Sequence, residues 1–550
     1  MLRVSHLPNG FDDALARIEN EGILARIWAH DYTVWKTGPD EITDRLGWLH
    51  VPFSMEQELD RVGSFVERVR ADGFKHTLLL GMGGSSLAPE TLAKTFGRAP
   101  GSPELTVLDS TQPGAVLDVE SRLDLSRTLF IVATKSGTTV ETLSLFRYFY
   151  HRVDRAGSGK PPGEAFIAIT DPGSPLVELA ARHRFRETFL NDPNIGGRYS
   201  ALSFFGLLPA ALLGVDLRTL LDRSENAVID CARLKPSDDN PAVRLGAFLG
   251  IWAKEGRDKA TFALSDSIGS FGYWVEQLIA ESTGKEGTGI LPVVGEPLGP
   301  PCSYGEDRVF VDLRLAGDPE DEGRLARLES AGHPIVRIGL NDRYSLGEQF
   351  FLWELAIAVA GHVLGINPFD QPNVEASKVL ARQAVETFHR TGELPTAESP
   401  PLTAEGLLAF LSNVRKEDYI AIQAYLPPGE QLTDALTALR IVLWNRTGVA
   451  TTLGYGPRFL HSTGQLHKGD RGNGHFVQLV TEAEMDVPIP GEAGTSRFPL
   501  TFQTLITSQA SGDRQALLEV GRPVATFAVP CSPVESILRT VKDLEGGRTV

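Results

Sequence analysis

Residues 276–285 read EQLIAESTGK. Gln277 and Glu281 stand one helical turn apart on an otherwise apolar stretch. The acid falls at the C-terminal end of that helix, where the backbone dipole disfavours it. An acid placed against the dipole wants another reason, although an ordinary carboxylate near a helix end reads the same way. Two further stretches could hold an anion. In LLLGMGGSSLAPE a strand runs into Gly83, Gly84 and Ser85 and then into a helix. Helix N-termini offer free N–H groups to anions, although glycines serve any tight turn equally well. In TLFIVATKSGTTVETL a strand ends in Thr134, Lys135, Ser136, Gly137, Thr138 and Thr139 before another helix. A helix cap needs one hydroxyl; four hydroxyls and a lysine make a phosphate cradle. Three other polar residues follow or precede apolar helices: Arg198 in NDPNIGGRYSALSFFGLLP, and Gln371 and Lys378, two turns apart, in INPFDQPNVEASK.

The elements that must position these residues alternate. From residue 61 a helix, KHTLLLG, SLAPETLAKTF, ELTVLDS, TLFIVATKS, TTVETLSLFRYFYHRV and AFIAITD read as helices and strands in turn. That alternation predicts a parallel sheet covered on both faces. After the spacer KPSDDNPA (235–242) it restarts with ATFALSDS, DRVFVDLRL and PIVRIGL as strands, separated by helices. The polar, Pro-rich stretch 390–406 reads as an exposed connection, and DYIAIQAYL, EQLTDALTALRIVLWNRTG and VATTLGYG beyond it form strand, helix and strand. The expected division is an N-terminal helical segment over 1–60, α/β units over 61–230 and 231–390, and an α/β extension over 391–550. That extension is either its own lobe or part of the second sheet.

The composition narrows the function. The 550 residues are 42% hydrophobic and carry 70 acids against 53 bases, a net charge of −17. That balance disfavours nucleic-acid binding. The apolar runs 199–217 and 350–366 contain Pro209 and Glu354 and read as buried helices, so no membrane partner is expected. Three scattered cysteines suggest neither disulfides nor a zinc site, and a cytoplasmic protein is expected. Neither phosphate turn carries a nucleotide P-loop or a full dinucleotide fingerprint, so no nucleotide cofactor is expected.

The motifs together resemble the phosphoglucose isomerase family, built from two sugar-isomerase (SIS) domains. GMGGSSLAP, TKSGTTVET, GGRYSALSFFGLLPAALLG, QLIAESTGK and INPFDQPNVEASK are similar to its five motifs and stand in the same order. The layout, with LHSTGQLHKGD near the C-terminus, is also similar to the isomerase portion of transaldolase–isomerase fusions. The resemblance implies two three-layer αβα SIS domains with parallel-rich sheets. It implies interconversion of glucose 6-phosphate and fructose 6-phosphate without cofactor or metal, in a homodimer. Glu281 would be the base, Arg198 would stabilise the enediolate, and Lys378 would help open or position the sugar ring. Gln277 and Gln371 would line the sugar site. Gly84, Ser85, Thr134, Ser136 and Thr139 would hold the phosphate, with Lys135 close by.

One motif departs. The family's ring-opening histidine lies in G-x-x-G-Q-H-A-F-x-Q-L, but the corresponding PPCSYGEDRVFVDL has Asp307 and Arg308 instead. HSTGQLHKGDRGNGHFVQL gathers His461, His467 and His475 in a chain with 12 histidines, so His461 or His467 is expected to take that role, with Lys468 adding phosphate affinity. Gly137 replaces a bulky aromatic of the family motif and is expected to leave room near carbon 2. That keeps a dual phosphoglucose/phosphomannose isomerase as an alternative, beside a non-catalytic sugar-phosphate sensor.

Overall fold

The computed structural model describes residues 2–157, 159–232, 239–319, 322–391, 394, 399–495, 497 and 499–546. Parts of the spacer 235–242 and of the connection 390–406 lie outside the described residues. A short strand β1 (Leu2–Ser5) opens the chain. Then β2 (His76–Leu80), β3 (Glu104–Leu108), β4 (Thr128–Ala133), β5 (Phe166–Thr170) and β6 (Glu187–Leu190) form an all-parallel sheet in the order β3-β2-β4-β5-β6. The central strand β4, TLFIVA, is buried at every position. Helices on both faces leave it no polar side, which is why it reads as an unbroken apolar run rather than an alternation.

The second sheet holds β7 (Lys259–Leu264), β8 (Leu291–Val293), β9 (Arg308–Leu315) and β10 (Ile335–Leu340), in the order β1-β10-β9-β7-β8. Its strands are parallel except β1, which pairs antiparallel with β10 in the register Leu2↔Ile338. The N-terminal segment is therefore not simply helical; its first residues form the edge of the second unit. Two apolar helices, Phe204–Leu213 and Ser345–Leu364, are buried nearly all round. They lie in one continuous core that reaches from Leu79, Ile131 and Phe189 of the first sheet to Phe262, Val311 and Ile338 of the second. No helix among the described residues is long and apolar enough to cross a membrane.

The C-terminal part forms a sheet of its own. β11 (Tyr419–Tyr425), β12 (Ala450–Tyr455), β13 (Gly474–Val480) and β14 (Val524–Ala528) are all parallel, in the order β12-β11-β13-β14. A buried charge network fastens it to the second sheet. Lys259 Nζ lies 2.8 Å from Asp258 and 2.9 Å from Asp307, and donates to the Glu417 carbonyl at 2.9 Å. Arg308 meets Glu296 at 2.9 Å, and Glu296 accepts from the Thr451 N–H at 3.2 Å. Asp307 and Arg308, which stand where the family histidine is expected, thus serve a domain junction.

Glycine is required where β2 turns into its helix. A Cβ on Gly84 would lie 1.9 Å from the Gly197 carbonyl oxygen, so the two loops touch backbone to backbone. Nothing lies within 4 Å of a Cβ built on Gly197. Gly84→Ala is expected to lower stability by about 2 kcal/mol through forced separation of these loops, whereas Gly197→Ala should cost less than about 0.5 kcal/mol. Urea unfolding midpoints of the two variants check this; equal effects would remove the contact from the account.

Candidate active site

The helix Phe271–Thr283 buries Trp274, Val275, Leu278 and Ile279 in the shared core and ends at Gly284. Its period places Gln277 and Glu281 on one side. Gln277 Nε2 donates to Glu281 Oε2 at 2.9 Å and to the His461 carbonyl at 2.9 Å. On the other carboxylate oxygen, Arg198 Nη1 stands 3.3 Å from Glu281 Oε1.

Arg198 has 1% of its side chain exposed, and its donors are spread over four further acceptors. Nε donates to Ser282 Oγ at 2.7 Å and Nη1 to Gln371 Oε1 at 2.9 Å. Nη2 donates to the carbonyls of Pro368 at 2.7 Å and Asp370 at 3.0 Å. A planar guanidinium satisfied on every edge has one orientation. Lys285 holds the same turn, donating to Asp370 Oδ1 at 2.7 Å and to its carbonyl at 2.5 Å. Burial, and the Arg198 charge beside it, pull Lys285 down to about 8 against the opposing pull of Asp370 and Glu281. Neither Lys285 nor Ser282 is assigned a role from the sequence, although both stand in the quoted ESTGK.

The two phosphate turns sit at the carboxyl ends of the adjacent strands β2 and β4. Thr134 and Thr139 hydroxyls are 2.8 Å apart, as are those of Ser136 and Thr138. Ser85 is buried in the other turn, where a Cβ on Gly83 would lie 2.9 Å from Gln277 Nε2. The glycine turn and the Gln277–Glu281 pair therefore meet within one chain. Lys135 differs from its expected role: its ammonium is paired with Asp171 and donates to the Pro193 carbonyl at 2.9 Å, so it braces the cradle. Gly137 also differs. It has φ +69°, and a Cβ there would lie 2.8 Å from Leu176 N and 3.1 Å from Ser174. The residue serves a left-handed turn packed against Ser174 and Leu176, not open space.

The histidines separate clearly. His461 lies on the segment joining β12 to β13, and its Nε2 is 2.9 Å from Glu141 Oε1. Glu141 is buried in the first turn of the helix Val140–Ala156 that follows the phosphate cradle. Burial pushes Glu141 up, but the His461 charge and hydrogen bond, with the Lys378 charge behind them, bring it below the usual carboxylate value. Lys378 itself is exposed on the helix Val374–Thr391. His467 is enclosed by the rings of Tyr419, Phe459 and Phe476, with Gln423 at 3.4 Å. Burial and the charges of Lys468 and Arg522 drive its pKa far down, so it stays neutral inside the C-terminal unit. Lys468 is spent on Asp513 at 2.6 Å, and His475 bonds Asp418 at 3.0 Å. Glu141 lies within the quoted TKSGTTVET but is not singled out there, because its partner is far away in the chain.

A cavity of about 990 Å³ lies elsewhere, between the carboxyl ends of β3, β7 and β12, lined among others by Asp109, Glu276, Arg440 and Arg458. None of the residues that surround Glu281 lines it.

A sequence profile of the phosphoglucose isomerase family matches residues 50–296. The probable glucose-6-phosphate isomerase of Haloarcula marismortui is 30% identical over 347 residues, which cover 56% of this chain and 77% of that protein. The chain belongs to the phosphoglucose isomerase family. The glucose-6-phosphate isomerase of Carboxydothermus hydrogenoformans is 28% identical over 404 residues, 62% of this chain and 86% of its own length. Among solved structures, a hypothetical protein of Thermus thermophilus shares 27% identity with a TM-score of 0.59, covering 70% of this chain and 99% of its own. A Chlamydia trachomatis glucose-6-phosphate isomerase shares the fold at 19% identity and a TM-score of 0.58, over 74% and 89% of the two chains. The match to the family profile ends at residue 296, before Gln371, Lys378 and His461.

Lys285→Met keeps the length of the side chain and removes both bonds to Asp370. It is expected to cost about 3 kcal/mol, the range for breaking a buried ion pair from one side. Because the turn also holds Arg198, substrate KM should rise with it. Chemical denaturation and steady-state kinetics check this; an unchanged unfolding midpoint would contradict it.

Proposed function

We propose that the chain interconverts glucose 6-phosphate and fructose 6-phosphate through an enediolate. The observation that carries this reading is the placing of Glu281, held by Arg198 at 3.3 Å and by Gln277 at 2.9 Å, with the glycine turn after β2 packed against Gln277. An aldose–ketose exchange is redox-neutral, so one base suffices and no electron carrier is called for. The phosphate binds at Gly84, Ser85, Thr134, Ser136 and Thr139, remote from the reacting carbons, and its binding energy positions them. In the open chain Glu281 takes the proton from carbon 2 while electrons pass to the oxygen of carbon 1. Arg198 stabilises the negative charge that develops on that oxygen. A proton moves from the oxygen of carbon 2 to that of carbon 1, and Glu281 returns its own to carbon 1, leaving a ketone at carbon 2.

Ring opening falls to His461. Its protonated imidazole gives a proton to the ring oxygen as the bond to carbon 1 breaks, and the hydroxyl proton of carbon 1 is lost to solvent. Glu141 supports the imidazolium from behind, and Lys378 stands within electrostatic reach of the pair. His467, neutral and enclosed, has no proton to offer. Gln277 and Gln371 fix the two sides of the sugar site through Glu281 and Arg198. A homodimer belongs to the same reading by resemblance alone; none of these roles asks for a residue of a partner. With Gly137 turned to Ser174 and Leu176, no contact favours mannose 6-phosphate.

Glu281→Gln is expected to lower kcat for fructose 6-phosphate by about 100-fold or more, read in a coupled assay. Normal turnover would end the assignment. His461→Gln should lose about 10-fold or more on ring-closed substrate and much less on an open-chain analogue; an equal loss on both would take ring opening away from His461.

A further inference from the structure

The C-terminal unit reaches the site at two places, and only His461 has been given a role. The second is Gln509, on the helix Phe502–Glu519. Its Nε2 donates to Glu141 Oε1 at 2.7 Å, the same oxygen that faces His461 Nε2 at 2.9 Å. Its Oε1 accepts from Thr111 Oγ1 at 2.7 Å. Thr111, Gln509 and Glu141 are all buried. We infer that Gln509 is a positioning residue that holds the Glu141 carboxylate ionised and aimed at His461. The inference rests on the reading of His461 as the ring-opening acid.

The chemistry follows from where each proton sits. A carboxylate has only acceptors when ionised, so both neighbours must donate to Oε1. Thr111 donates to the amide oxygen of Gln509 and thereby turns the NH₂ toward Glu141. His461 then directs its Nε2–H at Glu141, which leaves Nδ1, without a partner among the described residues, as the nitrogen that exchanges a proton with the sugar. The charged groups acting on Glu141 are His461 and Lys378. Gln509 adds a strong donor without adding charge, and hydrogen bonds to the ionised form favour that form. If Glu141 became protonated, it would no longer stabilise an imidazolium. Activity that depends on this pair is therefore present above the Glu141 pKa and falls as pH drops through it.

Two variants test the inference. Gln509→Leu removes the donor, and Gln509→Glu keeps the shape of the side chain but places a second carboxylate against the first. Both should raise the Glu141 pKa and move the acid limb of kcat/KM for fructose 6-phosphate to higher pH, by about one unit for Gln509→Leu and further for Gln509→Glu. A purely structural role would lower activity at all pH values alike. Ring opening can be read alone in the Glu281→Gln background, where exchange between fructose 6-phosphate anomers is followed by NMR. The acid limb of protein-accelerated exchange should move to higher pH, by about one unit for Gln509→Leu and further for Gln509→Glu, with the rate recovering as pH rises. Should the Glu281→Gln protein with Gln509 intact never accelerate exchange, the ring-opening reading fails and the inference with it. Acceleration with the same rate and pH dependence in both Gln509 variants would overturn the inference alone.

Discussion

A guanidinium with 1% of its side chain exposed is tolerated only if every donor finds an acceptor and its charge finds a counter-charge. Arg198 meets that condition by drawing three separate stretches around itself. Ser282 and Glu281 come from one helix, Gln371 and the carbonyls of Pro368 and Asp370 from a turn, and the arginine follows the Gly196–Gly197 turn that abuts the phosphate loop. None of these can shift without leaving a buried donor unpaired. Glu281 and Arg198 are therefore positioned by one constraint. The adjoining Lys285 repeats the device on Asp370, so the turn is held from two sides.

The C-terminal unit completes what the two SIS sheets leave open. The segment after β12 is anchored by Arg458, which pairs with Glu90 and lies 3.1 Å from Asp109, both in the first unit. From there the His461 carbonyl takes a bond from Gln277 and its ring faces Glu141. Four residues on, Gln465 joins the Gly284 carbonyl at 2.9 Å to Asn373 Oδ1 at 2.7 Å. One strap thus touches the phosphate-loop helix, the end of the Glu281 helix and the turn that holds Gln371. The chain presents a histidine here although it lacks the histidine of the family motif, because a different element carries it.

Much of this was legible in the sequence, and the limits have physical causes. Strands buried on both faces, such as β4 and β11, announce themselves as apolar runs, and the glycine and hydroxyl turns mark their ends. β6 and β8 have only four and three residues, too short for a pattern. β1 was unreadable as part of the second sheet, since its pairing with β10 spans most of two units. Lys135 looked like a phosphate ligand because its counter-charge, Asp171, lies a strand and a helix away. Gly137 looked like lost bulk, whereas a positive φ decides that position. Glu141 and Gln509 carry no local signal at all: a buried acid at a helix start and a glutamine in a polar helix acquire meaning only when folding brings His461 between the loops.

Glu281 and His461 rest on separate supports, and that has a physical consequence. Glu281 is held by an arginine and an amide, within a framework made rigid by Arg198 and the shared core. His461 faces a carboxylate that receives a neutral donor from another helix. Two titrating groups in direct contact would share their protons and could not be set independently. Here Gln277 stands between them, donating to the carboxylate of one and only to the backbone of the other. The glutamine links the two halves mechanically, joining the Glu281 carboxylate to the backbone of residue 461 and not to its ring.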